Sequence, residues 1–318
     1  MLLVAVCMAF AQDPAETLSG ILARVAEEAE ILQQNAPKSL TQEVLEQRAL
    51  MPATRFRPRI GKKAAAQLEP PRLVVRQIVS EYSVGTLKES AVRNLTELRQ
   101  VISVDGRKVQ SAASARHALS LGVRSPDDRL RKRMLEDFAK HGLVDIATDY
   151  GIFLLAFSKR GLERMKVTLG GEEQVGADAA WVLNWQQTSP EGGLLEFVGN
   201  ESARVALRGR LLVRKSDGLP LRIQSWSERS QDATDALLQR WSGHEPSATL
   251  RVRDEATVDY VRSAHGFVTP VSVLHRHLVD GKVVTENLYR YEPFKMFSAD
   301  TEIKFTELET PPPAPAKK

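Results

Sequence analysis

Apolar and polar residues alternate with a period of two along much of this chain, and the pattern is clearest over residues 209–228. One face of this stretch is apolar and comprises Leu211, Val213, Leu219, Leu221 and Ile223. The other face is mostly basic or polar and comprises Arg210, Arg214, Arg222 and Gln224. Asp217-Gly218 separates the two runs, and glycine accepts the positive φ that a tight reversal requires. The pattern predicts a β-hairpin with one apolar and one basic face.

Two more Asp-Gly pairs predict hairpins of the same kind. Asp105-Gly106 lies between residues 98–104 and 108–110, and Asp280-Gly281 lies between residues 267–279 and 283–291. Further candidate strands cover residues 73–82, 164–169, 179–187, 250–252, 257–261 and 301–305. The regular alternation of strand and helix that marks a parallel sheet is absent from the pattern. We therefore predict an α+β fold built on one antiparallel, meandering sheet with a helix or two against a face.

Apolar residues recur at helical spacing in two parts of the chain. Residues 15–34 form the first such run, which Pro37 ends, and a second short helix is predicted over residues 39–50. Ser125 can cap a later helix that Gly142 stops. Its apolar stripe comprises Leu130, Met134, Leu135 and Phe138. Residues 150–157 are apolar without alternation and predict either a buried strand or a helical turn that enters the core.

The first residues are typical of a secretory leader. Residues 2–10 are uninterruptedly apolar, and Ala9-Phe10-Ala11 fits the small-x-small pattern before a cleavage point, so residues 1–11 are predicted to be a signal peptide. Its usual basic start is missing, which predicts a truncated leader, and a short buried helix is the alternative. The run is about half of the roughly 20 residues that a membrane span needs. We expect an exported protein without a transmembrane span.

Composition narrows the chemistry that the chain can perform. Cys7 is the only cysteine and lies within the leader, which excludes disulfides, thiol catalysis and cysteine-bound zinc from the mature chain. Val6 precedes it where a lipidated cysteine would have a small residue. The net charge of +4 is small and spread along the chain, so no nucleic-acid partner is predicted.

Motifs for nucleophilic catalysis, nucleotide binding and zinc hydrolysis are absent from the sequence. The sequence has one His-x-His, at His275 and His277, whose imidazoles would share a face of a strand. A two-residue turn at Asp280-Gly281 would place His275 opposite Glu286. These three residues are a weak candidate for a metal or acid–base site, since no further metal ligand is evident beside them. No cofactor is predicted, and an enzyme that uses the face of His275, His277 and Glu286 is kept as the third and least favoured function.

Two longer phrases resemble a known family. They are GRLLVRKSDGLPLRIQSW, at residues 209–226, and ENLYRYEPFKMFSADTEIKF, at residues 286–305. With the order of leader, helix and antiparallel meander, they make residues 69–306 similar to the LolA/LolB-like half-barrels of outer-membrane lipoprotein sorting. The resemblance implies a strongly curved antiparallel sheet that wraps around helices, with an apolar cavity for acyl chains on its concave side.

The sequence pattern and the resemblance together divide the chain into five parts. They are the leader at residues 1–11, N-terminal helices at 12–50, a linker at 51–71, the half-barrel at 72–308 and a disordered proline-rich tail at 309–318. Residues 229–248 read as a long loop within the half-barrel. Apolar strand positions would converge on the concave side, as a ligand cavity or as a filled core. These positions are Trp181, Leu183, Trp185, Leu211, Val213, Leu221 and Ile223.

Together with the leader, the resemblance implies a protein of the bacterial periplasm. Besides the enzyme alternative, two functions are consistent with this interpretation. In the first, the half-barrel holds a lipid, an acyl chain or another hydrophobic ligand by burial alone. In the second, the core is filled and the protein is a structural or interaction module that binds an envelope protein through strand edges or its N-terminal segment.

Overall fold

The computed structural model describes residues 14–51, 71–86, 95–125, 128–146, 148–189, 195–198, 201–204, 206–232 and 249–297. Twelve of the strands in these residues form one large antiparallel sheet, which is curved and does not close on itself. A few helices accompany it, among them one at the start of the described chain. The predicted α+β fold with a curved antiparallel sheet is therefore confirmed.

The strands follow the chain as a meander with two departures. In chain order they are β1 (Ser39–Met51), β2 (Arg72–Thr86), β3 (Leu95–Val104), β4 (Arg107–Lys108), β5 (Met165–Val175), β6 (Asp178–Gln187), β7 (Leu195–Val198), β8 (Glu201–Arg204), β9 (Arg208–Arg214), β10 (Pro220–Asp232), β11 (Thr249–Arg262), β12 (Val268–Val279), β13 (Lys282–Tyr291) and β14 (Lys295–Met296). Across the sheet the order is β4-β3-β2-β1-β13-β12-β11-β10-β9-β6-β5, with β14 beside β1. Strands β7 and β8 pair with each other only. Strand β1 thus joins the N-terminal strands to the C-terminal ones.

The described helices are short except for the first. They are α1 (Pro14–Asn35), α2 (Ala112–Arg124), α3 (Asp128–Ala139) and α4 (Lys159–Leu162), with 3₁₀ turns at Ala36–Lys38 and Phe153–Phe157. Helix α2 was not predicted from the apolar pattern. It begins at a cap, since the Ser111 hydroxyl accepts a hydrogen bond from the Ser114 N–H at 3.0 Å.

The hairpin turns form where the Asp-Gly pairs predicted them. Asp105 and Gly106 have φ of 50° and 75°, and Asp280 and Gly281 have φ of 46° and 76°. Positive φ at both central residues is the geometry of a type I′ turn, whose twist matches that of the paired strands. At the hairpin between β9 and β10, Gly218 has a φ of 73° and its N–H donates to the Arg214 carbonyl.

One continuous row of apolar side chains crosses the sheet. Each residue of the row faces the next in the strand register, from β5 to β3. In spatial order it comprises Leu169, Leu183, Leu211, Ile223, Val258, Val273, Tyr289, Leu45, Ile78 and Val104. We call the face that carries this row the inner face and the opposite face the outer face. Because the row and the residues around it belong to one hydrophobic core, the sheet encloses a single interior.

Helix α1 packs into this interior rather than forming a separate unit. Val25, Ala29 and Leu32 are buried in the same core. Glu28 is fully buried as well, and its Oε1 accepts from Arg262 of β11 at 2.7 Å. A buried carboxylate needs such a partner, so this ion pair ties the helix to the far half of the sheet.

The prediction of a helix over residues 39–50 is wrong, because this segment is strand β1. Its side chains are buried at every odd position from 41 to 49 and are less buried at the even positions between them. Two of the buried odd positions are Glu43 and Gln47, and their polarity hid the period of two from a reading of apolar residues alone. The strands predicted at 250–252 and 257–261 are one strand, β11.

The apolar segment at residues 150–157 contains a 3₁₀ turn, so the second of its two predicted forms is the one observed. The predicted signal peptide, most of the linker, the final strand at 301–305 and the tail all lie outside the described residues. So does most of the predicted loop at 229–248, although β10 runs to Asp232.

A pair of glycine substitutions tests the close packing of the inner face. Gly209 lies opposite Trp185 in the register, and a Cβ there would meet the Gln224 carbonyl oxygen at 1.9 Å and the Trp185 ring at 2.8 Å. We expect Gly209→Ala to lower the free energy of unfolding by about 1–3 kcal/mol, because overpacking forces the strands apart.

Gly20 is the matched control. It lies within α1 with no atom within 4 Å of an added Cβ. Gly20→Ala should raise stability by about 0.5–1 kcal/mol through helix propensity. Urea unfolding of both variants measures the difference, and equal shifts would contradict the packing described here.

Candidate functional site

The residues predicted to line a cavity lie together at one end of the inner face. Leu183, Leu211, Val213 and Ile223 are fully buried, and Trp185 is 3% exposed. Leu221 lies at a bulge in the β9–β10 pairing and is also buried. Trp181 is half-buried, with the Lys215 ammonium 4.2 Å from its ring centroid. Whether any of them touches a ligand remains a prediction.

The protein's own aromatic residues occupy the space in front of this end of the sheet. The rings of Phe153 and Phe157, from the 3₁₀ turn, lie 5.6 and 5.4 Å from the Trp185 ring. Phe153, Leu154, Leu155 and Phe157 are all at most 1% exposed. The 3₁₀ turn at Phe153–Phe157 therefore forms a plug that covers the predicted ligand-binding residues on the inner face of the sheet. The indole Nε1 of Trp185 is buried and has no hydrogen-bond partner among the described residues.

A buried charged cluster lies at the other end of the inner face. Arg99 of β3 donates from Nε and Nη2 to the two carboxylate oxygens of Glu43 of β1, at 2.7 and 2.8 Å, and from Nη2 to Glu97 at 2.9 Å. The guanidinium also lies 5.2–5.3 Å from three aromatic ring centroids, those of Tyr82, Phe138 and Tyr289. The bidentate pair and the aromatic rings hold the one cation of the cluster in place.

Asp149 completes this cluster at a position of positive φ, 63°. Its Oδ1 accepts from the Thr96 hydroxyl at 3.0 Å and from the Glu97 N–H at 2.9 Å. In return, Glu97 accepts from the N–H groups of Asp149 and Gly151, at 2.9 and 2.8 Å, and from the Tyr82 hydroxyl at 3.0 Å. This reciprocal bonding fixes the 149–151 turn onto the start of β3.

Negative charge exceeds positive charge in the cluster, because three carboxylates surround one guanidinium. Burial, and then repulsion from Glu97, raises the pKa of Asp149 to about 7. Burial also raises the pKa of Glu43, against the opposing attraction of Arg99. A proton on Asp149 is the simplest way for the interior to reduce its excess charge.

The two predicted histidines meet a different carboxylate from the one expected. His275 and His277 share the inner face, and Asp254 of β11 accepts from both: from His275 Nε2 at 3.3 Å and from His277 Nδ1 at 2.7 Å. Glu286 instead faces Arg276 on the outer face and accepts its Nε–H at 2.8 Å. The predicted pairing of His275 with Glu286 is wrong.

A β-bulge explains the difference. Val279 faces Lys282 as the two-residue turn requires, but the register shifts by one between His277 and Leu278. One extra residue exchanges the faces of everything beyond it, so His275 faces Asn287.

The hydrogen bonds around His275 define its tautomer. Gln47 accepts the Val144 N–H at 3.0 Å, which orients its amide so that Nε2 donates to the Asn287 side-chain oxygen at 2.6 Å. The Asn287 amide nitrogen then faces His275 Nδ1 at 3.2 Å as a donor. His275 therefore carries its proton on Nε2, toward Asp254.

Asp254 is the charged acceptor that both histidines contact. Burial alone would raise its pKa, but the hydrogen bonds from His275 and His277 outweigh burial and hold the pKa well below its usual range. Tyr150 stacks over His275 with ring centroids 5.5 Å apart. Within the described ranges, no group of three or more His, Cys, Asp or Glu side chains could hold a metal ion. The arrangement is a hydrogen-bonded core network.

The outer face carries a groove of about 230 Å³ where β1, β2, β12 and β13 run side by side. It is lined by Arg48, Leu50, Leu73, Arg276, Val283, Val284 and Glu286. Leu73 is 61% exposed and Val283 is 42% exposed, and Val75 beside them is 55% exposed. Arg276 and Glu286 pair with each other, and Arg48 pairs with Glu46, so the charged rim is largely balanced. The floor of the groove is apolar and open.

The basic face predicted for the hairpin of β9 and β10 is neutralised by acidic residues. Arg210 pairs with Glu173 of β5, and Arg222 pairs with Asp259 of β11 at 2.6 Å. Arg214 donates to Asp217 within the hairpin turn at 2.8 and 2.9 Å. Neighbouring strands thus supply the counter-charges that the hairpin lacks. Among the helices that the structure describes, none has the length and apolar character of a membrane span.

Comparison with known proteins finds structural likeness only. No family model matches the sequence, and neither does any curated protein. The chain is similar to a LolA superfamily protein from Nitrosomonas europaea, with 10% identity over 87% of this chain and 94% of that one and a TM-score of 0.31. It is also similar to a DUF1329 family protein from Desulfovibrio piger, with 10% identity over 90% and 94% of the two chains and a TM-score of 0.35.

A third similar structure is that of MucB in complex with MucA(peri), with 11% identity over 89% and 100% of the chains and a TM-score of 0.22. A LolA superfamily protein is thus among the matches, as the sequence phrases predicted. The description of the fold rests on the strand pairings themselves.

Sequence reasoning missed the charged cluster because its members look like surface residues. Glu43 shares the parity of its buried apolar neighbours Leu45 and Ala49, and Glu97 and Arg99 share the parity of Leu95 and Val101, although Leu98 between them is buried as well. That shared parity was the available signal. A charged residue at an inward position of an apolar face either marks a β-bulge or is buried beside an opposite charge. Here Glu43 and Arg99 are buried as a pair.

Replacing Asp149 by asparagine should change how stability depends on pH. The raised pKa means that the proton on Asp149 stabilises the folded state fully below the ordinary value of 3.8 and that this contribution is lost as the pH rises through about 7. The wild-type free energy of unfolding should therefore fall between about pH 4 and about pH 7, and Asp149→Asn should flatten that slope. Asparagine keeps the acceptor oxygen and tolerates positive φ.

Urea titrations at several pH values measure the slope. Asp105→Asn is the control, because Asp105 is an exposed turn aspartate with a φ of 50°. Equal slopes in wild type and Asp149→Asn would refute the role given to Asp149.

Removing Asp254 should be far more harmful than removing Glu286. Asp254→Ala removes the acceptor of buried His275 and partly buried His277, and we expect a loss of about 2–5 kcal/mol in the free energy of unfolding. Glu286→Ala breaks a pair whose side chains are 24% and 42% exposed, and the loss should be below about 1 kcal/mol. Thermal or urea unfolding distinguishes them, and a reversed order would show that Glu286 is the partner of the histidines after all.

Proposed function

We propose that this protein is a non-enzymatic binding protein of the bacterial cell envelope that engages a protein partner through the outer face of its sheet. The observation that carries the proposal is the open apolar groove bordered by Leu73, Val75 and Val283. A soluble protein seldom leaves a run of large apolar side chains exposed unless another molecule covers them.

The packing of the inner face also favours a protein partner over a ligand held inside the sheet. The plug of residues 153–157 already covers Trp185 and its neighbours. Each of its large apolar side chains gains about 1.5–3 kcal/mol from burial, and an acyl chain entering this space would have to displace them. Contacts with the plug therefore compete with ligand binding.

The charged cluster makes displacement harder still. The turn at residues 149–151, just before the plug, is bonded to Glu97 through two main-chain N–H groups. Moving the plug outward would strain these bonds and uncover buried carboxylates. The interior is built as a structural core.

The location in the envelope is part of the proposal. The apolar run at residues 2–10 with its small-x-small end is the support for export. The absence of cysteine after Cys7 is compatible with an oxidising compartment, because no thiol would be left to mispair.

A second function has one observation in its favour. The Trp185 Nε1 group is buried without a partner in the described part of the chain, although buried indole N–H groups are usually hydrogen-bonded. A hydrophobic ligand with a polar head could supply the acceptor. In that function the protein holds a lipid or acyl chain against the inner face, as the sequence resemblance implies.

Site-specific photo-crosslinking in the periplasm tests the first proposal. A photoreactive phenylalanine analogue at Val283 should give one defined crosslinked envelope protein. The same analogue at Leu121 of α2 is the control, because Leu121 is 52% exposed and lies outside the groove. Crosslinks of equal pattern from both positions, or from neither, would contradict the proposal.

Native mass spectrometry of the purified protein separates the second function from the first. We expect the mass of the polypeptide alone. A stoichiometric lipid adduct whose binding quenches or shifts Trp185 fluorescence would instead support the ligand at the inner face and overturn the filled-core interpretation.

A further inference from the structure

We infer that the free edge of β2 at residues 72–76 receives an extended, acidic segment of the protein partner as an added β-strand. This inference rests on the proposed function and specifies how the partner binds. It is carried by the strand register, the direction of the main-chain groups and the side chains along this edge.

The first observation is that β2 extends past its outer neighbour. On one side β2 pairs with β1 from Arg72, opposite Met51, to Ser83, opposite Leu40. On the other side its pairing with β3 begins only at Ile78, opposite Val104. Strand β3 ends there in the Asp105-Gly106 turn, so no described strand lies beside residues 72–76 on that side.

The second observation is the direction of the main-chain groups. Gln77 accepts the Asp105 N–H at 2.7 Å and donates its own N–H to the Asp105 carboxylate at 2.9 Å. Gln77 therefore points its main-chain groups away from β1. Because this direction alternates along a strand, Leu73 and Val75 point their N–H and C=O groups the same way, toward the open edge. These are the groups that an added strand would pair with.

The third observation concerns the side chains of this edge. Here Leu73 and Val75 are 61% and 55% exposed on the outer face and continue the apolar floor of the groove. An added strand would extend the sheet and cover both side chains with its own alternate residues.

Charge specifies the occupant. Arg72 and Arg76 alternate with the apolar residues along this edge. Arg76 donates from Nη1 to the His141 carbonyl at 2.9 Å and lies 3.8 Å from Asp105, whereas Arg72 is exposed and adds positive charge to the edge. A second copy of this chain paired antiparallel about Val74 would set Arg72 against Arg76, and directly opposed like charges are destabilising. A partner segment that alternates acidic and apolar residues satisfies both faces.

A synthetic peptide of about seven residues that alternates glutamate and valine is the probe. In nuclear magnetic resonance experiments on the full chain, the peptide should slow hydrogen exchange of the Leu73 and Val75 amides by about tenfold or more. Val75→Pro removes one edge donor without touching the β1 pairing and should weaken binding by about tenfold. Val75→Thr keeps the donor and the branched shape and should bind like the wild type.

Three results would overturn the inference. They are equal binding by Val75→Pro, equal binding of a peptide with lysine in place of glutamate, and protection of the same amides by self-association without peptide. A result that refutes strand addition at the edge of β2 can be told apart from one that refutes the proposed function. Crosslinking from Val283 to a partner while the Leu73 and Val75 amides exchange freely would leave a groove that binds its partner without strand addition.

Discussion

The row of apolar residues that crosses the inner face is the constraint on which the rest of this structure depends. Ten neighbouring strands each contribute one member, from Leu169 at one end to Val104 at the other. A row of this length must be buried along its whole extent, since exposed apolar area costs about 25 cal/mol per Å². Curvature of the sheet, the packing of α1 and the 3₁₀ plug are three consequences of that requirement.

Strand β1 is the element that turns two meanders into one sheet. It lies between β2 and β13, which are far apart in sequence, and its Glu43 reaches across β2 to Arg99. A buried ion pair adds little net stability over an apolar pair, yet removing one partner is very costly. We interpret the pair as a lock on register, because a shift of one residue in β1 would turn Glu43 outward and remove the bidentate partner of buried Arg99, leaving Glu97 as its remaining carboxylate. Such a lock suits a strand whose two neighbours come from opposite ends of the chain.

The inner and outer faces of the sheet carry different kinds of side chain, and this difference follows from the same packing. The inner face is occupied by aromatic rings, the Arg99 cluster and the network around Asp254, where the buried charges have partners or a raised pKa, while Trp185 Nε1 and Ser80 Oγ are buried without a hydrogen-bond partner among the described residues. The outer face is mostly covered with balanced ion pairs, such as Arg222 with Asp259. The groove and the open edge of β2 depart from that balance, and for this reason the binding proposal is placed there rather than inside.

Local sequence signals determined a large part of this protein by themselves. Asp-Gly pairs fixed the turns at Asp105 and Asp280, and period-two alternation fixed the strands and the inward positions of Leu183, Leu211 and Ile223, because both are properties of neighbouring residues. Tertiary structure alone decided that residues 39–51 form a central strand, since the buried Glu43 and Gln47 find their partners 56 and 240 residues away. It also decided, through one bulge after His277, that Asp254 rather than Glu286 meets the histidines, because register between distant strands depends on packing that no local pattern records.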